Sequence, residues 1–288
     1  MLPENSTPTE DDWRLIILRI LSEKCVPFLG AGASLGTREE PGLPTASRLA
    51  AALATESRYP GLDKTDFLRI AQYHQMVFDP HYLREAIDRE LKVKDLRPGL
   101  VHKAIASLPF PYVLTTNFDR LMERAFEEVG KRAKVVCYEI HGNAQDVDRP
   151  TVMQPLLYKL HGSLEKPNSM IATEDDVIEF LSCLLLGDPG LPPAVKQLFE
   201  QASILFIGYG MKDLNIRVLL RALRNRRLNT SGEIYSFAVQ RRPDEPSLAQ
   251  EWDRTVLYWG KKDSLRCFDM DALDFVAELQ RRFADMGV

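Results

Sequence analysis

Seven residues, Phe28-Leu29-Gly30-Ala31-Gly32-Ala33-Ser34, pass from an apolar run into a loop with almost no side chains. Gly30 and Gly32 let the backbone turn sharply and approach a flat, charged ligand, while the small side chains of Ala31, Ala33 and Ser34 leave amide N–H groups uncovered. A diphosphate could sit there, which makes the loop a candidate dinucleotide site. Three more polar clusters follow apolar runs: Thr116-Asn117-Phe118-Asp119, His161-Gly162-Ser163 and Gly208-Tyr209-Gly210-Met211. Taken singly, Asn117 and Asp119 read as a helix cap and a first-turn acid, and His161 as a satisfied core histidine. What joins them is their shared place at the ends of strand-like runs.

The loop departs from the dehydrogenase fingerprint. After Gly30 and Gly32 the third glycine is due where Leu35 stands, and Gly36 comes one place late. Nor does a second strand with a ribose-binding acid follow about 20 residues on. Instead Thr45–Ser57, Lys64–Val77, His81–Lys92 and Pro98–Ser107 all read as helices separated by Pro, Gly or Asp.

The elements that must position these groups are legible as a pattern. Cys25–Leu29, Pro111–Thr116, Lys134–Ile140, Leu156–Leu160, Ser203–Ile207, Glu233–Val239 and Thr255–Trp259 read as strands, with helices between most of them and a further helix expected at Asp213–Arg224. Unbroken apolar strands alternating with helices indicate a doubly wound, Rossmann-like parallel α/β sheet covered on both faces. In such a sheet ligands bind beyond the carboxyl ends of the strands, where Gly30, Asn117, His161 and Gly208 would all lie. One domain over 1–288 is expected, with helical insertions at about 44–108 and 164–201. The first helix, with Trp13, Ile16 and Ile20, and the last, with Leu273, Val276 and Phe283, carry apolar faces for core packing or self-association.

Composition narrows the function. The net charge of −4 gives no global push toward nucleic acid or an anionic membrane. No apolar run approaches the roughly 18 residues that a membrane span needs, and the polar first nine residues do not resemble a signal peptide, so a cytoplasmic protein is expected. Cys25, Cys137, Cys183 and Cys267 are scattered with no Cys-x-x-Cys pair, which argues against a zinc ribbon or other structural zinc. The basic run Arg217, Arg221, Arg224, Arg226 and Arg227 reads first as a solvated helix face, with a protein or nucleic-acid contact as the alternative.

The motifs together resemble the sirtuin-like family, in its zinc-less bacterial branch. Gly30-Ala31-Gly32-Ala33-Ser34 is similar to that family's Gly-Ala-Gly-x-Ser loop, and Thr115-Thr116-Asn117-Phe118-Asp119 to its Thr-Gln-Asn-Ile-Asp segment. Leu160-His161-Gly162 resembles the segment with the catalytic histidine, and Gly208-Tyr209-Gly210 stands where sirtuins have Gly-Thr-Ser. The resemblance implies NAD as substrate, with Asn117 holding the ribose or the attacking water and His161 the base near the ribose hydroxyls. It places Asp119 and the Phe118 backbone around nicotinamide, and Gly30, Ala31, Gly32, Ser34, Thr116, Gly208, Tyr209 and Gly210 against the cofactor.

Deacylating sirtuins carry a zinc module after the histidine segment, whereas residues 164–201 hold one cysteine, Cys183. Water as the acceptor is the more economical expectation: metal-free NAD hydrolysis, of the kind that depletes NAD in antiphage defence. A protein deacylase and a non-catalytic NAD or ADP-ribose sensor are the alternatives. A homo-oligomer is expected, and stand-alone relatives of this kind imply in addition a partner such as a HerA-type ATPase or an Argonaute-like protein.

Overall fold

The structure, a computed structural model, describes residues 7–36, 42–91, 96–142, 147–210, 218, 236–263 and 265–287. Its frame is a seven-stranded sheet in which every pairing is parallel. The strands are β1 (Cys25–Leu29), β2 (Tyr112–Thr115), β3 (Lys134–Cys137), β4 (Leu156–Lys159), β5 (Ser203–Ile207), β6 (Ser236–Val239) and β7 (Leu265–Phe268), in the spatial order β3-β4-β2-β1-β5-β6-β7. After β1 the chain builds outward on one side through β2, then crosses to β5 and builds out on the other. The switch point therefore lies between β1 and β5, where a doubly wound sheet opens its ligand crevice.

Alternation along each strand feeds two cores, as both faces are covered. Val26, Phe28, Ile204 and Phe206 point into one, with Phe180 and Leu184 of α7 (Glu174–Leu186), Val195 and Phe199 of α8 (Pro193–Gln201) and Trp252 of α9 (Pro246–Asp263). Leu29, Val113, Leu205 and Ile207 point into the other. That side is closed by α1 (Glu10–Leu21), α5 (Leu100–Ser107), α6 (Leu121–Glu128) and α10 (Ala272–Asp285). Trp13 of α1 stacks on Phe275 of α10 at 4.9 Å between centroids, and Ile16, Ile20, Val276 and Phe283 are buried with them. Of the two roles expected for these terminal helix faces, core packing is the one observed.

Between β1 and β2 come α2 (Ala46–Glu56), α3 (Phe67–Val77) and α4 (Pro80–Leu91), which share a third core of their own. Leu49, Leu53, Ile70, Leu83 and Ile87 form it, and Met170 and Ala172 from the segment after β4 complete it. Helix starts follow capping chemistry: Thr9, Thr45, Asp66 and Thr173 each accept a backbone N–H from the first turn of the helix that follows.

One expected strand is overturned. Thr255–Trp259 lies inside α9, and the last strand is Leu265–Phe268 instead. The apolar run Val256-Leu257-Tyr258-Trp259 is short enough for either period, but it continues a helix opened at Pro246, where a missing N–H costs nothing. Apart from Val218, which is helical, the helix expected over 213–224 lies outside the described residues, as do the basic run Arg217, Arg221, Arg224, Arg226 and Arg227, Met211 and positions 233–235 of the expected sixth strand. Among the described residues, no helix is long and apolar enough to cross a membrane.

Candidate functional site

The glycine loop and the turn after β5 are built against each other. Gly208 has φ +78, and a Cβ on it would meet the Ala33 nitrogen at 2.2 Å. In the other direction, a Cβ on Gly30 would meet the Gly208 oxygen at 2.7 Å and one on Gly32 the Gly208 Cα at 2.8 Å. These glycines therefore let two loops touch at the switch point. The expected phosphate cradle is smaller than residue types suggest, because Gly30 N–H donates to Ile207, Gly32 N–H to Gly208 and Ala33 N–H to Gly30, each at 2.9 Å.

Tyr209 is buried at the same junction. Its hydroxyl donates to the Leu29 carbonyl at 3.1 Å and bonds the Thr116 hydroxyl at 2.7 Å, while its ring stands edge-on to Phe28. The Leu29 carbonyl also accepts from the Thr115 hydroxyl at 2.9 Å and the Thr116 amide at 3.3 Å. This cluster locks the ends of β1 and β2 together. Tyr209, expected against the cofactor, thus has its hydroxyl engaged inside the fold.

From this locked corner Asn117 reaches across the loop. Its backbone N–H donates to Thr115 Oγ1 at 3.0 Å, and its Nδ2 donates to the Gly30 carbonyl at 3.0 Å and to Ser34 Oγ at 3.1 Å. A carbonyl only accepts, so the atom facing Gly30 must be the NH2 and not the oxygen. These bonds leave the carboxamide oxygen as the Asn117 side-chain atom they do not use. Asp119 accepts the Leu121 N–H on Oδ1 at 2.8 Å and the Ser34 hydroxyl on Oδ2 at 3.1 Å, so both its oxygens are held. The Phe118 carbonyl accepts from Leu164 N–H at 3.0 Å and is used in the fold.

His161 follows β4 and is oriented by a loop that folds back beneath it. Gly162 has φ +80, a Cβ there would meet the Ser169 oxygen at 2.1 Å, and Ile171 N–H closes the return on the His161 carbonyl at 3.1 Å. The imidazole stands edge-on to Phe180 at 5.4 Å. Burial pushes its pKa down to about 4, so the ring is neutral at neutral pH and its free nitrogen can accept a proton.

A cavity of 490 Å³ brings these groups together. Ala31, Ser34, Thr116, Asn117, Phe118, Asp119 and His161 line its floor, whereas Gly30, Gly32, Gly208, Tyr209 and Gly210 are not part of its wall. Leu43, together with Leu49, Phe67, Leu68 and Leu91 of the first insertion, forms an apolar roof. Gln72 and Asp175 clasp the roof to α7 by a reciprocal pair of bonds at 3.0 and 3.1 Å.

Three site neighbours carry no signal in the sequence reading above. Lys159 of β4 is wholly buried; its Nζ donates to Glu123 Oε1 at 2.9 Å and to the Asp119 carbonyl, fixing the backbone of Asp119 from below. Burial holds the Glu123 carboxyl above its usual range against the pull of Lys159. His102 of α5 lies 3.3 Å from Ser34 Oγ. A lysine two places before His161 in an otherwise apolar strand was the available clue, since a buried charge demands a partner. Cys25, Cys137 and Cys267 are buried thiols, with burial pushing Cys25 and Cys267 up to about 12.

A model of the SIR2-like domain matches residues 111–257, which takes in Asn117, Asp119 and His161. Among curated proteins the chain is similar to the NAD(+) hydrolase ThsA of Bacillus cereus (strain MSX-D12), with 28% identity over 78% of this chain and 46% of that one. It is also similar to Defense-associated sirtuin 2 of Bacillus subtilis, at 25% identity over 87% of this chain and 23% of that one. The chain thus spans about half the length, or less, of these relatives. A solved Sir2 mutant complex with p53 peptide and NAD aligns over 94% of this chain and 98% of its own, at 15% identity and a TM-score of 0.48. With a family model matched over half its length, the chain belongs to the SIR2-like family.

Proposed function

We propose that this crevice hydrolyses NAD to nicotinamide and ADP-ribose, in the cytoplasm, as an NAD-depleting defence enzyme. What carries the proposal is the meeting of Asn117, Asp119 and His161 in one 490 Å³ cavity beyond the carboxyl ends of β1, β2 and β4 in a parallel sheet. The names of the relatives support it.

The chemistry needs few groups. Nicotinamide leaves a pyridinium as a neutral base, so no acid has to protonate it as in ordinary glycoside hydrolysis. Asn117, with its NH2 held by Gly30 and Ser34, turns its carboxamide oxygen toward the ribose or the attacking water and stabilises positive charge developing on the sugar. Neutral His161 accepts the proton released by the ribose hydroxyl or the water. Asp119 and Phe118 wall the nicotinamide end, and Ala31, Ser34 and Thr116 face the rest of the dinucleotide. We read the chain as one domain, with the insertions at about 44–108 and 164–201 roofing the crevice. An ungated enzyme of this kind would exhaust its own cell. Assembly with further copies, or with a partner such as a HerA-type ATPase or an Argonaute-like protein, supplies the control.

Protein mixed with NAD, with and without an acyl-lysine peptide, tests the proposal by its nicotinamide release. Equal release in both arms supports hydrolysis. Release only with peptide identifies a deacylase, and NAD binding without release identifies a sensor.

A further inference from the structure

Ser34 is the centre of a buried polar cluster. Its Oγ lies 3.1 Å from Asp119 Oδ2, 3.1 Å from Asn117 Nδ2 and 3.3 Å from His102 Nε2. The directions of these bonds follow from what each group can do. A carboxylate accepts, so the single Ser34 proton goes to Asp119. The Asn117 nitrogen donates, one proton to Ser34 and the other to the Gly30 carbonyl. The lone pair left on Ser34 is matched only by a donor, which makes His102 the Nε2–H tautomer with a bare Nδ1.

Two observations agree with that assignment. Nδ1 is the His102 atom that is buried without a hydrogen-bond partner among the described residues, which offer it no acceptor for a proton. Burial, the main influence on the ring, also holds its pKa below the usual histidine value and keeps it neutral. His102 is 1% exposed and does not line the cavity, so any effect on a ligand there must pass through Ser34.

We propose that His102 is a positioning residue: by donating from Nε2 to Ser34, it fixes the serine hydroxyl on Asp119 and holds the Asn117 carboxamide with its oxygen toward the cavity. Without that donor the serine hydroxyl can rotate, and Asn117 keeps the Gly30 carbonyl but loses one of the two fixed acceptors that set its plane. Ground-state grip on the substrate changes little, because His102 touches none of it. The loss falls on turnover, where Asn117 must be aimed.

The effect on turnover rests on the NAD cleavage proposed above; the tautomer does not. Histidine labelled with ¹⁵N reports the protonated nitrogen of each ring, with His102→Gln identifying the His102 signals. The expected pattern for His102 is a neutral ring protonated at Nε2 across neutral pH. In kinetics, His102→Phe keeps the ring volume without the donor and should lower kcat about tenfold or more with KM within about twofold. His102→Gln, whose amide can place an N–H where Nε2 stood, should recover most of that loss. A ring protonated at Nδ1, a charged ring, or a His102→Phe variant with wild-type kcat overturns the proposal. If His102→Phe does not fold, the tautomer decides. A wild-type protein that releases no nicotinamide while showing the Nε2–H ring refutes the NAD cleavage and leaves the positioning assignment standing.

Discussion

Asn117 donates its carboxamide N–H to the Gly30 carbonyl at 3.0 Å, tying the end of β2 to the loop that follows β1. Asn117→Ala removes the aimed oxygen and should cost about a hundredfold in nicotinamide release with the fold intact. Asn117→Asp keeps an oxygen but sets a carboxylate against the Gly30 carbonyl, so it should lose activity and also about 1–3 kcal/mol of stability. Turnover and thermal melts of the pair separate the two effects; full activity in Asn117→Ala would remove Asn117 from the chemistry.

His161 makes stability depend on acid. The folded ring titrates near 4, while the unfolded chain's ring titrates near 6.5. Between these values the unfolded state binds a proton that the folded state does not, so stability falls as pH drops, by up to about 1.4 kcal/mol per pH unit. His161→Gln should flatten the loss measured by urea melts across this window. An unchanged slope would mean that His161 protonates freely in the fold.

The Lys159–Glu123 pair supports Asp119 from beneath, with both side chains buried. Removing one partner strands the other charge, so Lys159→Met should destabilise by about 3–5 kcal/mol. Replacing both, Lys159→Met with Glu123→Leu, should return most of that stability but not the activity, because the Asp119 carbonyl still lacks its donor. Denaturant melts set beside nicotinamide release check both halves. A double variant no more stable than the single one would contradict the pairing argument.

Two neighbouring glycines should behave oppositely. Gly208→Ala meets the Ala33 nitrogen at 2.2 Å in a backbone conformation with φ +78, whereas a Cβ at Gly210 meets nothing within 4 Å among the described residues. The first should lose at least about 1–3 kcal/mol, and the second should leave the melting temperature close to wild type. Equal melting temperatures would show that the loop contact gives way without cost.

The parts legible in sequence were those with a periodic or compositional signature. Ser203–Ile207 reads as a buried strand because five residues in a row suit a sheet covered on both faces, and it forms with those bounds. Asn117, Asp119 and His161, which line one cavity, stand out in the sequence because each follows such a run. The strand Leu265–Phe268 was missed because four residues interrupted by Arg266 give too short a signal, while Val256–Trp259 gave a false one. His102, Lys159 and Glu123 escaped for another reason. Their meaning lies in partners 68, 40 and 36 residues away, and no local spacing encodes that.

The central claim is tested most directly by the products of NAD incubated with the wild-type protein and with His161→Ala, over a protein dilution series and in the presence of a chelator. The account predicts nicotinamide and ADP-ribose in equal amounts from the wild type, with no loss to chelation because a neutral leaving group needs no Lewis acid. It predicts release that rises with protein assembly, and at least about a hundredfold less from His161→Ala. Nicotinamide absent at every protein concentration, or released equally by His161→Ala, would contradict it.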